Sequence, residues 1–206
     1  MVIKRIAKRF SREDDGVSMI EAMLTFPIVF LLLAALIEFG LAVFQWNQAA
    51  KASQLGARLA AVSDPLPADI SSLTADFSGL DPAAAVPSTV VTLSCGAGAT
   101  ACNATRLNRL VYGSDGTCNA ASGTSVPGMC DYFYAVKPEH VRVTYHRAGL
   151  GYVGRPKGAV TTIVVELRDL TFTLPFLGAL LGFNSMNIPI FPATIVSEDL
   201  CTAKSC

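Results

Sequence analysis

Two carboxylates stand alone in a long apolar run. Residues 16–46, GVSMIEAMLTFPIVFLLLAALIEFGLAVFQW, carry Glu21 and Glu38 and no other charge. A carboxylate inside a membrane helix costs about 2.5–3.5 kcal/mol at the helix centre and less near the interface, so it is a functional candidate by default. Glu21 has a specific partner in view. A cut after Gly16 would leave a cationic amine on Val17, one helical turn before Glu21 or opposite it on a neighbouring copy. Gly16 has no side chain to keep a peptidase from that bond. Glu38 lies about 31 Å along a helix axis from Val17 at 1.5 Å per residue. That distance places it at the outer headgroups, where it costs little; the alternative is a buried pairing site for an Arg or Lys of a neighbouring helix.

The element that must position these acids is a membrane helix. Residues 22–37 hold no charge, and Thr25 is their only polar side chain. About 20 mostly apolar residues cross the ~30 Å of hydrocarbon. A buried core helix would show a polar face, and this stretch has none. Lys4, Arg5, Lys8, Arg9 and Arg12 precede the run, against Glu13, Asp14 and Asp15. That basic cluster predicts a cytoplasmic N-terminus and an exported remainder. Removing residues 1–16 shifts the net charge from zero to about −2. Pro27 is expected to kink the helix or release a carbonyl, and Trp46 suits the outer interface.

Beyond Trp46 the helix is expected to continue through NQAAKASQLGARLAAV, with no proline before Pro65. Spacing predicts a stripe of Ala49, Ala52, Leu55, Leu59 and Val62, with Lys51, Gln54 and Arg58 opposite. Residues 17–62 would then span about 69 Å, ending at Asp64 and Pro65. Ala34, Ala35, Gly40, Gly56 and Ala57 either permit close helix approach or simply reflect membrane-helix composition.

A basic leader, a glycine at the cut, Glu fifth in the processed chain and then a hydrophobic helix together resemble a type IV prepilin. Val17 departs from the Phe or Met that many prepilins place first. The Glu21-Ala22 pair, Pro27, Ile37-Glu38-Phe39-Gly40 and Gly56-Ala57-Arg58-Leu59-Ala60-Ala61 sharpen this. They resemble the TadE-like family of pseudopilins, or minor pilins, of the tight-adherence (Flp) pilus. The resemblance covers about residues 15–62, under a quarter of the chain. It implies removal of residues 1–16 by a prepilin peptidase and a part in priming, capping or tipping a pilus for surface attachment. Its implied partners are the bilayer, other minor pilins, the major pilin and the assembly platform. Glu21, and Glu38 if buried, would be the assembly residues. The implied location is a single pass through the inner membrane with the C-terminal domain in the periplasm, extending to an extracellular pilus.

Two other readings of the N-terminus compete. An uncleaved bitopic anchor would carry a periplasmic binding or adhesin domain. A conventional signal peptide would use Ala50-Lys51-Ala52 as its small-x-small site, but the apolar run exceeds the usual h-region.

With 206 residues there is room for one such helix and one ordinary domain, and zero net charge gives no reason to expect a nucleic-acid partner. Cys95, Cys102, Cys118, Cys130, Cys201 and Cys206 all follow the span. An even count on an oxidising side favours disulfides over zinc, with 15 connectivities open. Pairs local in sequence, 95/102, 118/130 and 201/206, close short loops at low entropic cost, although a crossed pattern is open. His140 and His146 share a strand face without further ligands, so no metal is expected. Gly149, Gly151 and Gly154 spell G-x-G-x-x-G, but a strand rather than a helix follows, so a hairpin loop is expected and no cofactor. No nucleophile motif suggests an enzyme. Asn103-Ala104-Thr105 is a formal sequon.

The expected fold class is α+β: a long N-terminal transmembrane helix reaching into the periplasm, then a small disulfide-containing domain with an antiparallel sheet. Its parts are a leader (1–16), the helix (17–62), a linker (63–87) and the domain (88–206). Strands are expected at 88–95, 106–113, 132–138, 140–147, 160–169 and 188–197. Val141, Val143 and Tyr145 should face the core, and 140–147 should pair with 160–169. FLGALLGF, residues 176–183, reads as a short helix, either core or a contact surface for another minor pilin.

Overall fold

The computed structural model describes residues 14–77, 79–119, 125–155 and 160–174, then 176, 178–179, 182, 185–187 and 189–197. The greater part of the leader and the Cys201/Cys206 pair lie outside these residues. Among them the chain forms two compact units. One holds the helix up to Val43 with residues of Thr173–Met186; the other holds Phe44–Phe172 and the residues from Asn187 on.

Helix α1 runs Asp14–Ala61, with Pro27 inside it. In the second unit its last turns form one wall of the core. Ala49, Ala52, Ser53, Gly56, Ala57, Ala60 and Ala61 are buried, a 3.6-period face. Leu55 and Leu59 are only half-buried and Val62 is exposed, so the buried face is rotated from the expected stripe. The reason is distance. A Cβ on Gly56 would lie 2.6 Å from Met129 Sδ, so only a small-residue face fits this close to the domain. Lys51, Gln54 and Arg58 are exposed, as their spacing predicts.

The other wall is a four-stranded antiparallel sheet, ordered β1 (Val91–Gly96), β2 (Val141–Arg147), β3 (Thr162–Leu167) and β6 (Ala193–Val196). Val143 faces Val165 and Tyr145 faces Ile163 across the expected β2–β3 pair. Val141, Val143, Tyr145, Ile163, Val165 and Leu167 fill the core. Two further strands, β4 (Thr171–Thr173) and β5 (Ser185–Asn187), pair with each other.

Two expected strands are corrected. Residues 106–112 lie in helix α2, Ala104–Tyr112. The Asn103 side chain accepts the Arg106 N–H at 3.2 Å and caps its start. Gly113, with φ 75°, closes its end where an L side chain would be strained. Residues 132–138 are not a strand either. They follow a one-turn helix, α3 (Met129–Tyr132), and lead into a 3-10 turn at Pro138–His140.

Residues 63–87 are fastened to the domain rather than hanging free. Leu66, Leu73, Phe77 and Val86 are buried. The Leu66 N–H donates to the Tyr145 hydroxyl at 3.1 Å, and Asn103 N–H donates to Leu66 O at 2.8 Å. Arg147, fully buried, ties the segment down by donating to Asp76 at 2.5 Å and to Pro87 O at 2.7 Å. Its guanidinium also lies over the Phe77 ring. Burial pushes the Tyr145 hydroxyl up to about 12 from 10.0, against the opposing pull of the Leu66 N–H and the Arg106 charge.

Candidate functional site

The site begins at the start of α1, where Gly16 and Val17 already lie within the helix. Glu21 follows one turn after Val17 and is exposed. Its backbone carbonyl accepts the Thr25 hydroxyl at 2.9 Å, so the one polar side chain of the apolar run bonds its own helix. Pro27 has no N–H to offer the Met23 carbonyl four residues earlier. Met19, Ala22, Met23, Phe26 and Pro27 line a shallow apolar groove there.

From Met19 to Phe44 the large apolar side chains are exposed. Leu24 and Leu36 are each 67 % exposed and Phe39 is 70 % exposed. A soluble protein rarely leaves so continuous an apolar surface bare. The stretch lies in a helix long and apolar enough to cross a membrane. This fits a single-pass membrane protein. Ala34 and Ala35 are half-buried, and a Cβ on Gly40 would meet nothing within 4 Å. Gly40 and Gly56 therefore differ: one faces open space, the other the domain.

Glu38 is covered within the chain. It is 1 % exposed, and its Oε1 accepts the backbone N–H of Phe176, 138 residues away. A segment from far along the chain thus covers the carboxylate. Sequence reasoning had no signal for this contact, which no local pattern encodes.

Cys95–Cys102 and Cys118–Cys130 are disulfides. The first staples β1 to the approach of α2, and the second ties α3 to the loop after α2. The histidines are engaged separately. His146 Nδ1 meets the Thr92 hydroxyl at 2.9 Å, and His140 Nδ1 accepts the Lys137 N–H at 3.2 Å. Gly149, Gly151 and Gly154 all have positive φ in the loop between β2 and β3, where Gly151 O accepts the Val86 N–H. That geometry is a connection rather than a phosphate cradle. An open hollow of about 550 Å³ at the end of α2 is lined by Thr105, Asn108, Arg109, Tyr112 and 113–116, without histidine or cysteine.

No curated protein and no solved structure matches the chain. Residues 16–58, which hold Glu21, Glu38 and the whole bare apolar stretch, do match the family model described as TadE-like protein.

Proposed function

We propose that the chain is a minor pilin, or pseudopilin, that takes part in assembling a tight-adherence (Flp) type pilus for surface attachment. One coincidence carries the reading: the TadE-like match falls on a helix whose large apolar side chains between Met19 and Phe44 lie bare. Residues 1–16 act as a leader, and a prepilin peptidase cuts between Gly16 and Val17. The helix then holds the protein in the inner membrane, N-terminus inside, with the disulfide-stapled domain in the oxidising periplasm. On transfer by the assembly platform, neighbouring helices of other minor pilins and the major pilin replace lipid over the bare stretch. Glu21 meets the amine of a processed neighbour, an attraction that strengthens where water is scarce. Its exposure supports this role, since a carboxylate already covered would not be free to meet another chain.

Cleavage and pairing separate by mutation. Gly16→Arg should block the cut and leave full-length precursor in the membrane. Glu21→Ala leaves the bond accessible, so the chain should be shortened normally and then be missing from sheared pili. Normal incorporation of Glu21→Ala would remove the pairing role. A Gly16→Arg chain that still loses residues 1–16 would remove the proposed site.

A further inference from the structure

Where the bare stretch of α1 ends, the helix turns from apolar to mixed composition. Phe44 is exposed, and Gln45, Trp46, Asn47 and Gln48 follow it. The half-buried Trp46 ring meets the ring of Phe191, with centroids 6.1 Å apart and planes tilted by 58°. Phe191 is nevertheless 75 % exposed. Its place is fixed on both sides. Ile190 is buried in the core, and Ala193 pairs with Val165 at the start of β6. Pro189 and Pro192 stand on either side and carry no N–H that needs a partner. Single exposed apolar side chains are ordinary on a protein surface. Here two bare rings of the second unit adjoin Trp46, Phe44 by sequence and Phe191 by contact.

Position along α1 identifies what covers these rings. Trp46 lies about 44 Å along the helix from Val17, against ~30 Å of hydrocarbon and about 40–45 Å with the headgroups included. That is the headgroup level, where aromatic rings are favoured because apolar and wet surroundings meet. We propose that Phe191, docked on Trp46, is an anchor that rests the exported domain on the outer headgroup layer of its own membrane. The proposal rests on the reading that the bare stretch of α1 spans the bilayer. Lipid headgroups fit better than a partner helix because Gln45, Asn47 and Gln48 flank the Trp46 ring. A dry helix contact would strip water from those amides without replacing it. The demand that every backbone group be bonded within the protein holds in hydrocarbon and not among hydrated headgroups, so water can meet the Ile190 and Phe191 N–H groups there. Leaving the bilayer for a pilus would uncover both rings, so the contact belongs to the membrane-held form.

Trp46 is the only tryptophan, so the parent chain reports its own depth. The full chain is reconstituted in phosphatidylethanolamine–phosphatidylglycerol vesicles whose acyl chains are brominated either near the headgroups or near their ends. Trp46 should lose more emission to the shallow bromines than to the deep ones. Phe191→Trp in a Trp46→Phe background should do the same, and its exposed position leaves room for the larger ring. Val29→Trp in that background lies about 18 Å along the helix from Val17, near the midplane, and should favour the deep bromines. If Val29→Trp and Trp46 behave so but Phe191→Trp is quenched by aqueous iodide alone, the anchor fails while the span stands. Shielding of Phe191→Trp from both bromine and iodide would mean a protein neighbour, and the anchor fails equally. Absence of bromine quenching at Val29→Trp would instead remove the span. With Trp46 retained, Phe191→Ser should raise iodide access to the indole, because the ring packed on it is gone. Unchanged access would overturn the pairing of the two rings.

Discussion

Along α1, two stretches follow opposite rules. Between Met19 and Phe44 large apolar side chains lie bare, while between Ala49 and Ala61 the buried face is alanine, serine and glycine. Hydropathy alone would have ranked them the other way for burial. In the second stretch a close approach to the domain selects small residues, and the gain comes from contact of backbones and methyl groups. In the first, nothing among the described residues approaches most of the surface, so size is unrestricted and the environment must be apolar. The difference teaches that the first stretch is built for a partner outside the chain and the second for a partner within it.

A charge at the centre of the bare stretch should break the comparison most strongly. Leu33→Arg adds about 3 kcal/mol to insertion, so most of the chain should be lost from the membrane fraction. Near-UV circular dichroism of the same protein in detergent should remain that of the parent, because the domain does not depend on Leu33. Undiminished membrane retention would mean that this surface does not face lipid.

The converse test disturbs the domain and spares the membrane. Replacing Cys95 and Cys102 by serine opens a short loop and should cost the domain about 2.5 kcal/mol. The melting temperature should fall while membrane retention is unchanged.

Glycine sharpens the contrast within one helix. Gly56→Leu would drive a side chain into buried Met129, an overpacking worth about 2 kcal/mol. Gly40→Leu meets open space and should leave the domain's melting temperature where it was. Equal effects at the two sites would mean that the domain does not distinguish the two stretches.

The smallest effect belongs to Tyr145. Tyr145→Phe removes the acceptor of the Leu66 N–H and should cost about 1 kcal/mol at neutral pH. The hydroxyl titrates near 12 in the fold and near 10.0 when exposed. The unfolded chain therefore loses its proton first. Tyr145's contribution is full below pH 10 and declines as pH rises through 12. Denaturant melts across that window should show a weaker alkaline loss in Tyr145→Phe than in the parent.

Much of this was legible because it is local. The bare run, the Val141/Val143/Tyr145 alternation and the short-loop disulfides each follow from spacing within about a dozen residues. Helix α2 was missed: Asn103 and Gly113 bracket Leu107, Leu110 and Val111 at helical spacing, but the β-branched and aromatic end of RLNRLVYG suggested a strand. Other features arise only in three dimensions. Asp76 and Phe77 meet Arg147, and Phe176 meets Glu38, across separations that no periodicity encodes. The rotated inner face of α1 belongs with them, since the closeness of Met129 decides which residues fit.

The most direct test of the central claim is the N-terminal sequence of the protein isolated from membranes of cells making the pilus. Processing ahead of the bare stretch predicts that the chain begins Val17-Ser18-Met19-Ile20-Glu21, shortened by residues 1–16. A chain that begins at Met1 and is nevertheless incorporated into pili would contradict it.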